Sequence, residues 1–259
     1  LAGEPWLGPP HERAVLDLVA RSGDGTFSAE VATQLLSTLW RNLQRTGARS
    51  SDQLAGLALL LLDDGNASER LAAARLLLAD DRYRAAVVDH MQRRGDSQLA
   101  RELATAAAQD LPPAQAFPVI VAASTLAGHP SAPFLLLGHR DCNLVRREYE
   151  QRLASDVEPR LREMLVVGAG FAEDQQVGID LARLAFENDP DQAVRLRALF
   201  VLTGRAASSL GERAITAALD DPRFCADPWR LDGVVQALQN LARNGERNAV
   251  DRIGQRLRA

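Results

Sequence analysis

The sequence contains no lysine, so all 30 of its Lys or Arg residues are arginine. This absence excludes the chemistry that depends on a lysine amine, namely the phosphate-binding lysine of a P-loop and the lysine nucleophile or Schiff base of covalent catalysis. A bias towards arginine is typical of GC-rich coding sequences, and we interpret it as a sign of a bacterial source.

Cysteine and long hydrophobic runs are also scarce. Cys142 and Cys225 are the only cysteines, and neither belongs to a CxxC pair, so we predict no zinc knuckle and no disulfide framework. Unpaired cysteines favour the cytoplasm, with a bacterial periplasm or envelope location as the alternative. The longest apolar run, residues 54–62, is much shorter than the roughly 20 residues of a membrane span, so we expect no transmembrane segment.

Aromatic residues make up only 5% of the chain, and β-branched residues are sparse, so the sequence lacks the residue types that a β-sheet prefers. Alanine and leucine, which are strong helix formers, are abundant. The composition therefore predicts an all-α fold. The net charge of −4 and the pI of about 5.7 give no basic excess for binding phosphates, which argues against nucleic acid as a partner.

Helical periodicity extends through nearly the whole chain, with breaks at Gly, Pro and Asp clusters that supply caps and turns. We predict a single domain over residues 1–259, in which residues 128–141 form an irregular connection. Ser51 is the expected cap of one helix. The predicted helices cover residues 11–21, 28–43, 52–62, 67–79, 82–93, 97–109, 113–127, 142–154, 158–168, 173–187, 191–204, 210–219, 229–243 and 245–257.

An internal repeat organises these helices. An aspartate precedes an arginine by six residues in two copies, and the interval is three residues longer in a third. A leucine directly follows each arginine, and a small residue lies three positions after the arginine. We predict that each pair is structural and joined within its own repeat, where the aspartate caps the second helix. The pairs are Asp64 with Arg70, Asp189 with Arg195, and Asp221 with Arg230; the leucines are Leu71, Leu196 and Leu231, and the small residues are Ala73, Ala198 and Gly233.

This pattern resembles the HEAT repeat, a helical hairpin with an aspartate at its turn and a Val-Arg pair in its second helix. The match is best from Asp189 to Ala198. It covers residues 51–127 and 142–259, whereas residues 1–50 form divergent helices. The resemblance implies a right-handed α-solenoid of about seven stacked hairpins, because a single hairpin cannot bury its apolar stripe alone.

In such a solenoid the second helices of successive hairpins line one extended face. We predict that this face binds another protein or peptide and that the chain is a non-enzymatic scaffold. A binding surface should vary between repeat copies, whereas recurring positions should serve packing. Trp229, at an apolar position of the repeat, is expected in the core. The second helices are predicted at 67–79, 97–109, 142–154, 191–204 and 229–243, and the variable candidates for binding are Arg75, Arg197, Phe200 and Asp232.

The sequence predicts no catalytic residue, no cofactor and no metal site. Residues of metal-ligand type occur close together within 128–142, but their spacing matches no structural zinc pattern. We interpret them as part of a solvated loop, with Asp141 as cap of the helix that begins at Cys142. The residues of this type are His129, His139, Asp141 and Cys142. Two alternatives remain open: a HEAT-like nucleic-acid-binding protein or DNA glycosylase-type enzyme, and an accessory subunit of a larger enzyme or envelope complex.

Overall fold

The computed structural model describes residues 13, 17, 29–46, 50–155, 158–205 and 208–256. Within these residues all regular secondary structure is helical, which confirms the all-α prediction. The chain forms two compact units, Leu1–Pro130 and Ser131–Ala259, where one domain was predicted. The helix predicted at 11–21 lies outside the described residues apart from Arg13 and Asp17.

From residue 29 onwards the described helices follow the predicted ones closely, apart from two that were not predicted, at 131–140 and 222–225. In the first unit they are α1 (Ala29–Thr46), α2 (Asp52–Asp64), α3 (Ala67–Ala79), α4 (Asp81–Arg94), α5 (Ser97–Asp110) and α6 (Pro113–Ala127). In the second unit they are α7 (Ser131–Arg140), α8 (Cys142–Ser155), α9 (Pro159–Ala169), α10 (Gln175–Asn188), α11 (Gln192–Arg205), α12 (Ser208–Asp220), α13 (Pro222–Cys225), α14 (Pro228–Arg243) and α15 (Arg247–Arg256).

Helix α7 corrects the prediction of an irregular connection at 128–141. Residues Ser131–Arg140 are helical, and Phe134 and Leu137 of this helix are fully buried. Pro133 is its third residue. Proline is tolerated there because the first-turn N–H groups have no partner within the helix. The two prolines and two histidines therefore mark the start and end of a short helix.

Short polar side chains cap α2, α3, α4 and α5 in the first unit. The Ser51 hydroxyl accepts a hydrogen bond from the backbone N–H of Leu54 at 3.2 Å, as predicted. Asn66 and Glu69 form a capping box at the start of α3. The prediction that Asp64 caps this helix is wrong, because Asp64 is the last residue of α2 and Asn66 supplies the cap.

In the first unit, α3 lies between α1 and α5 and also packs against its hairpin partner α2. Helix α6 packs along α5 and contacts α4. Leucine and alanine side chains fill these contacts, and the small alanines allow the helices to approach closely. Leu54, Leu76, Leu77 and Leu103 are fully buried.

In the second unit, α7, α9, α11 and α14 contact one another in that order, and we call them the first row. Helices α8, α10, α12 and α15 each pack against first-row helices, α8 contacts α10, and α12 contacts α15; we call these the second row.

The sequence had placed 142–154 among the binding-face helices. That assignment is wrong, because α8 belongs to the second row and α9 takes the place beside α11.

Two glycines set the crossing of α7 and α9. A Cβ atom on Gly138 would lie 2.1 Å from the backbone oxygen of Gly168, and one on Gly168 would lie 2.6 Å from the backbone oxygen of Phe134. These distances leave no space for a side chain at either position. The first row therefore begins with a backbone-to-backbone contact that requires glycine.

Candidate binding groove on helices α9, α11 and α14

A third glycine positions the candidate site. Leu196 of α11 is buried against Gly233 of α14, where an added Cβ would lie 2.7 Å from the leucine Cδ2 atom. This contact fixes the two helices side by side. Because position 233 has no side chain, the surface next to this contact stays hollow.

The hollow is an open groove bordered by α9, α11 and α14. Its narrow part has a volume of about 190 Å³ and is lined by side chains that include Glu163, Phe200 and Trp229. A wider part of about 520 Å³ continues along α14 to Arg243. Both parts share Arg197, Phe200 and Gln236, so they form one continuous surface.

An ion pair fixes the floor of this groove. Glu163 is 6% exposed, and its Oε1 accepts hydrogen bonds from Arg197, at 3.0 Å from Nη2 and 3.3 Å from Nε. Arg160 also pairs with Glu163. The Arg197 guanidinium lies 5.9 Å from the centre of the Phe200 ring. These contacts orient Arg197 while its side chain remains 40% exposed.

Trp229 is exposed, which corrects the prediction that it packs in the core. Its relative exposure is 63%, the largest among the exposed large hydrophobic residues of the described chain. Trp229 lies in the first turn of α14, where its backbone N–H donates to the Asp227 cap at 3.0 Å. The buried side of α14 begins only at Gly233. The indole therefore lines the groove at the start of the helix.

Polar side chains follow Trp229 along α14. Gln236 donates to the Asp232 carboxylate at 2.8 Å, one helical turn earlier. Gln239, Asn240 and Arg243 continue the same side of the groove. The groove thus combines an aromatic end, a row of carboxamides and both signs of charge.

Three of the four predicted binding residues come together here, since Arg197, Phe200 and Asp232 all line the narrow part. The fourth, Arg75, lies in the first unit, where its guanidinium stacks 5.9 Å from the centre of the Trp40 ring. Sequence reasoning missed Glu163, Trp229 and Gln236. The sequence did contain a signal for Glu163. In the other repeats the arginine is followed by leucine, whereas Arg162 is followed by the charged residue Glu163.

Four of the six Asp and Arg residues of the predicted pairs bond between hairpins instead, which corrects the predicted pairing within each repeat. Arg162 bonds to Asp189 at 2.9 Å, and Arg195 bonds to Asp221 at 2.7 Å. In the first unit Arg70 bonds to Asp96 at 3.2 Å. In each case the fourth residue of one helix contacts an aspartate in a link between helices. Asp96 directly precedes α5, Asp189 lies between α10 and α11, and Asp221 caps the short helix α13 that precedes α14. We call these three contacts the Arg–Asp pairs.

The pair at Asp189 is the most buried. Asp189 is 3% exposed and also accepts a hydrogen bond of 2.7 Å from the Tyr149 hydroxyl, while Arg162 is 1% exposed. Burial, followed by the hydrogen bond to Asp189, raises the pKa of Tyr149 well above its usual range. The phenol therefore stays a neutral donor, and the network is structural.

Three members of the predicted pairs make further contacts. Arg195 donates from Nε to the backbone oxygen of Phe186 at 2.8 Å, so it does reach back to its own turn. Arg230 pairs with Asp227 at 3.4 Å rather than with Asp221. A hydrogen bond with Arg223, and then one with Arg195, holds the pKa of Asp221 well below its usual range.

Asp141 and Cys142 are two of the residues of metal-ligand type that the sequence analysis singled out. Asp141 accepts a hydrogen bond from the backbone N–H of Leu144 at 2.9 Å, consistent with its predicted role as a helix cap. Cys142 is buried, and burial raises the pKa of its thiol to about 11. No group of three or more potential ligands converges among the residues that the structure describes.

None of the described helices combines the length and the apolar character needed to cross a membrane. Comparison with protein-family models, with curated proteins and with solved structures finds no match to this chain.

Proposed function

We propose that this chain is a non-enzymatic binding module of the HEAT-like α-solenoid type, which holds another protein through the groove on α9, α11 and α14. The observation that carries the proposal is that Arg197, Phe200 and Asp232 line one surface together with the exposed Trp229. The first three were selected because their positions vary between repeats. Tryptophan and arginine are enriched among residues that dominate binding energy.

The helix rows and the Arg–Asp pairs support the solenoid part of the proposal. Successive first-row helices α9, α11 and α14 each contact the next, with a second-row helix joined to each. An arginine of one hairpin bonds to an aspartate of the next at Arg162 and again at Arg195. Stacked hairpins of one kind are the expected source of such recurrence.

The dimensions and chemistry of the groove suit an extended peptide segment. From Trp229 to Arg243 the helix advances about 21 Å, which matches about six residues of extended chain. The carboxamides of Gln236, Gln239 and Asn240 can both donate to and accept from peptide groups. Trp229 and Phe200 offer apolar surface for a side chain of the bound segment.

The charges of the groove favour a peptide over nucleic acid. Glu163 and Asp232 face the same groove as Arg197 and Arg243, and Arg197 is already engaged by Glu163. A phosphate backbone would meet two carboxylates along this surface, which opposes its binding. A peptide with residues of both signs fits the same arrangement.

Affinity capture with the purified chain tests the proposal. We expect the wild-type chain to retain a defined protein from an extract of its source organism, and Trp229→Ala to lose it. Leu60→Ala is the matched control, because Leu60 is a similarly exposed apolar residue, at 62%, in the first unit. The result against the proposal is equal capture by both variants, or turnover of a small molecule that the groove variant abolishes.

A further inference from the structure

The side of α14 that faces away from α11 carries an exposed apolar stripe. Leu231 is 41% and Val235 is 43% exposed, and the half-buried Leu238 and Ala242 continue the stripe at alternating spacings of four and three residues. Gly233, which contacts α11, is two residues from both Leu231 and Val235. Two residues correspond to about 200° around a helix, so the stripe lies opposite the contact with α11.

The junction between α11 and α14 shows how the equivalent side of α11 is covered. Leu196 is the counterpart of Leu231, and it is 3% exposed because it packs on Gly233 of the following helix. Arg195, just before it, bonds to Asp221, which caps the short helix α13 ahead of that helix. Leu196 therefore packs on a small residue of the following hairpin, and Arg195 bonds to a carboxylate of the same hairpin.

The junction between α9 and α11 uses the same two positions. Arg162 bonds to Asp189 ahead of α11, and the next residue, Glu163, reaches Arg197 on α11 itself. In α14 the two positions are Arg230 and Leu231. Leu231 is 41% exposed, whereas Leu196 is buried, and the carboxylate that Arg230 contacts comes from its own turn, Asp227 at 3.4 Å.

Helix α15 adjoins the exposed side of α14. It packs against α14 and α12 as a second-row helix does. In the earlier hairpins a first-row helix accompanies each second-row helix: α9 with α8, α11 with α10, and α14 with α12. The side of α14 opposite α11 and the adjoining α15, which we call the α14–α15 edge, are thus shaped to receive one more first-row helix.

We propose that the α14–α15 edge binds an amphipathic helix of a partner protein, which takes the next position in the first row. Its chemistry follows from α14, the helix that fills the equivalent position beside α11. A small residue would face Leu231, as Gly233 faces Leu196, and a carboxylate ahead of the helix would accept from Arg230, as Asp221 accepts from Arg195. A second copy of the folded chain fits less well, because its Gly233 already packs on Leu196 of its own α11. It could offer only its own α14–α15 edge, where Leu231 and Val235 would meet side chains of their own size. The inference is independent of the groove.

A helical peptide probe tests this inference. The probe is a synthetic peptide of residues 219–243, which contains Asp221 and Gly233, labelled at its N-terminus and held helical by a lactam between Asp232 and a Gln236→Lys substitution. The bridge is needed because an isolated helix of this length is marginal in water. Fluorescence anisotropy should show saturable binding to the full chain.

The variants decide which surface the probe uses. Leu231→Asp in the protein should weaken binding by about tenfold or more, because it places a charge in an apolar contact, and Asp221→Asn in the probe should also weaken it. Leu60→Asp, a matched change in the first unit, should leave affinity unchanged. Absence of saturable binding, or equal affinity of Leu231→Asp and wild type, overturns the proposal. Sedimentation that shows a dimer abolished by Leu231→Asp would also overturn it, because a second copy would then occupy the edge.

Discussion

Arg195 donates from Nη1 to Oδ2 of Asp221 at 2.7 Å, so the arginine of one hairpin is bonded to the link that leads through α13 to the next first-row helix, α14. The same relationship joins Arg162 to Asp189. Neighbouring hairpins are therefore held by directed, charge-assisted hydrogen bonds in addition to apolar contacts. The most buried of these pairs should carry the largest share of stability.

Asp189→Ala should destabilise the protein by about 3–5 kcal/mol, because it removes the carboxylate that compensates the buried Arg162 guanidinium. It also removes the acceptor of the Tyr149 hydroxyl. Asp64→Ala is the control, since Asp64 is exposed and the change should cost no more than about 0.5 kcal/mol. Urea unfolding of both variants measures the difference. Equal free energies of unfolding would contradict the assignment of Asp189 to a buried pair.

Acid should weaken the fold through Asp80 and Asp221. A hydrogen bond from the Arg82 side chain lowers the pKa of Asp80 to about 2, and Arg223 and Arg195 lower that of Asp221 further. Both pKa values lie below those of the unfolded chain, near 3.9. The unfolded chain therefore binds more protons in this range, so this stability is fully present above about pH 4. The part due to Asp80 is lost towards about pH 2, and the part due to Asp221 is lost at lower pH.

Asp80→Asn isolates this effect, because asparagine can still cap α4 but carries no charge. The urea midpoint of the wild type should fall from pH 5 to pH 3, and that of Asp80→Asn should fall less. An identical fall in both proteins would show that Asp80 does not contribute.

Gly138→Ala should destabilise the second unit by about 1–3 kcal/mol, because the new Cβ would lie 2.1 Å from the backbone oxygen of Gly168 and force α7 and α9 apart. Gly56→Ala is the matched control. Nothing lies within 4 Å of its added Cβ, so the change should stabilise α2 by up to about 1 kcal/mol. Thermal melts of the two variants should shift in opposite directions. A melt of Gly138→Ala at or above the wild-type temperature would contradict the close crossing.

The two cysteines should differ in reactivity. Cys142 is buried with its pKa raised to about 11, whereas Cys225 is exposed. Because the thiolate is the nucleophile, iodoacetamide at pH 8 should modify Cys225 alone in the folded protein and both cysteines in urea. Intact-mass spectrometry counts the adducts, and rapid double modification without denaturant would contradict the burial of Cys142.

The sequence predicted where the helices lie because their signals are local. Ser51 caps its helix as expected, and the short interruptions between periodic segments became turns. Helix α7 was missed because prolines and histidines resemble a loop, although proline is tolerated in a first turn. The sequence also selected Arg197, Phe200 and Asp232, which share one groove.

The errors concern relationships between hairpins. The six-residue spacing of Asp189 and Arg195 indicated a local pair, yet the partner of Asp189 is Arg162, 27 residues earlier. A repeating motif fits a contact within a repeat and a contact between repeats equally well, because both recur with the same period. Trp229 was placed in the core because its position is apolar in the repeat, but burial depends on which helix covers it.

Photo-crosslinking from the groove tests the central claim of partner binding most directly. Benzoylphenylalanine placed at Trp229, at 63% exposure, reports on the groove, and the same residue at Leu60, at 62% exposure, reports on a surface of the first unit. In an extract of the source organism we predict one defined protein crosslinked from position 229 and not from position 60, with unchanged thermal melts of both variants. The same set of products from both positions, or none from position 229, would contradict the account.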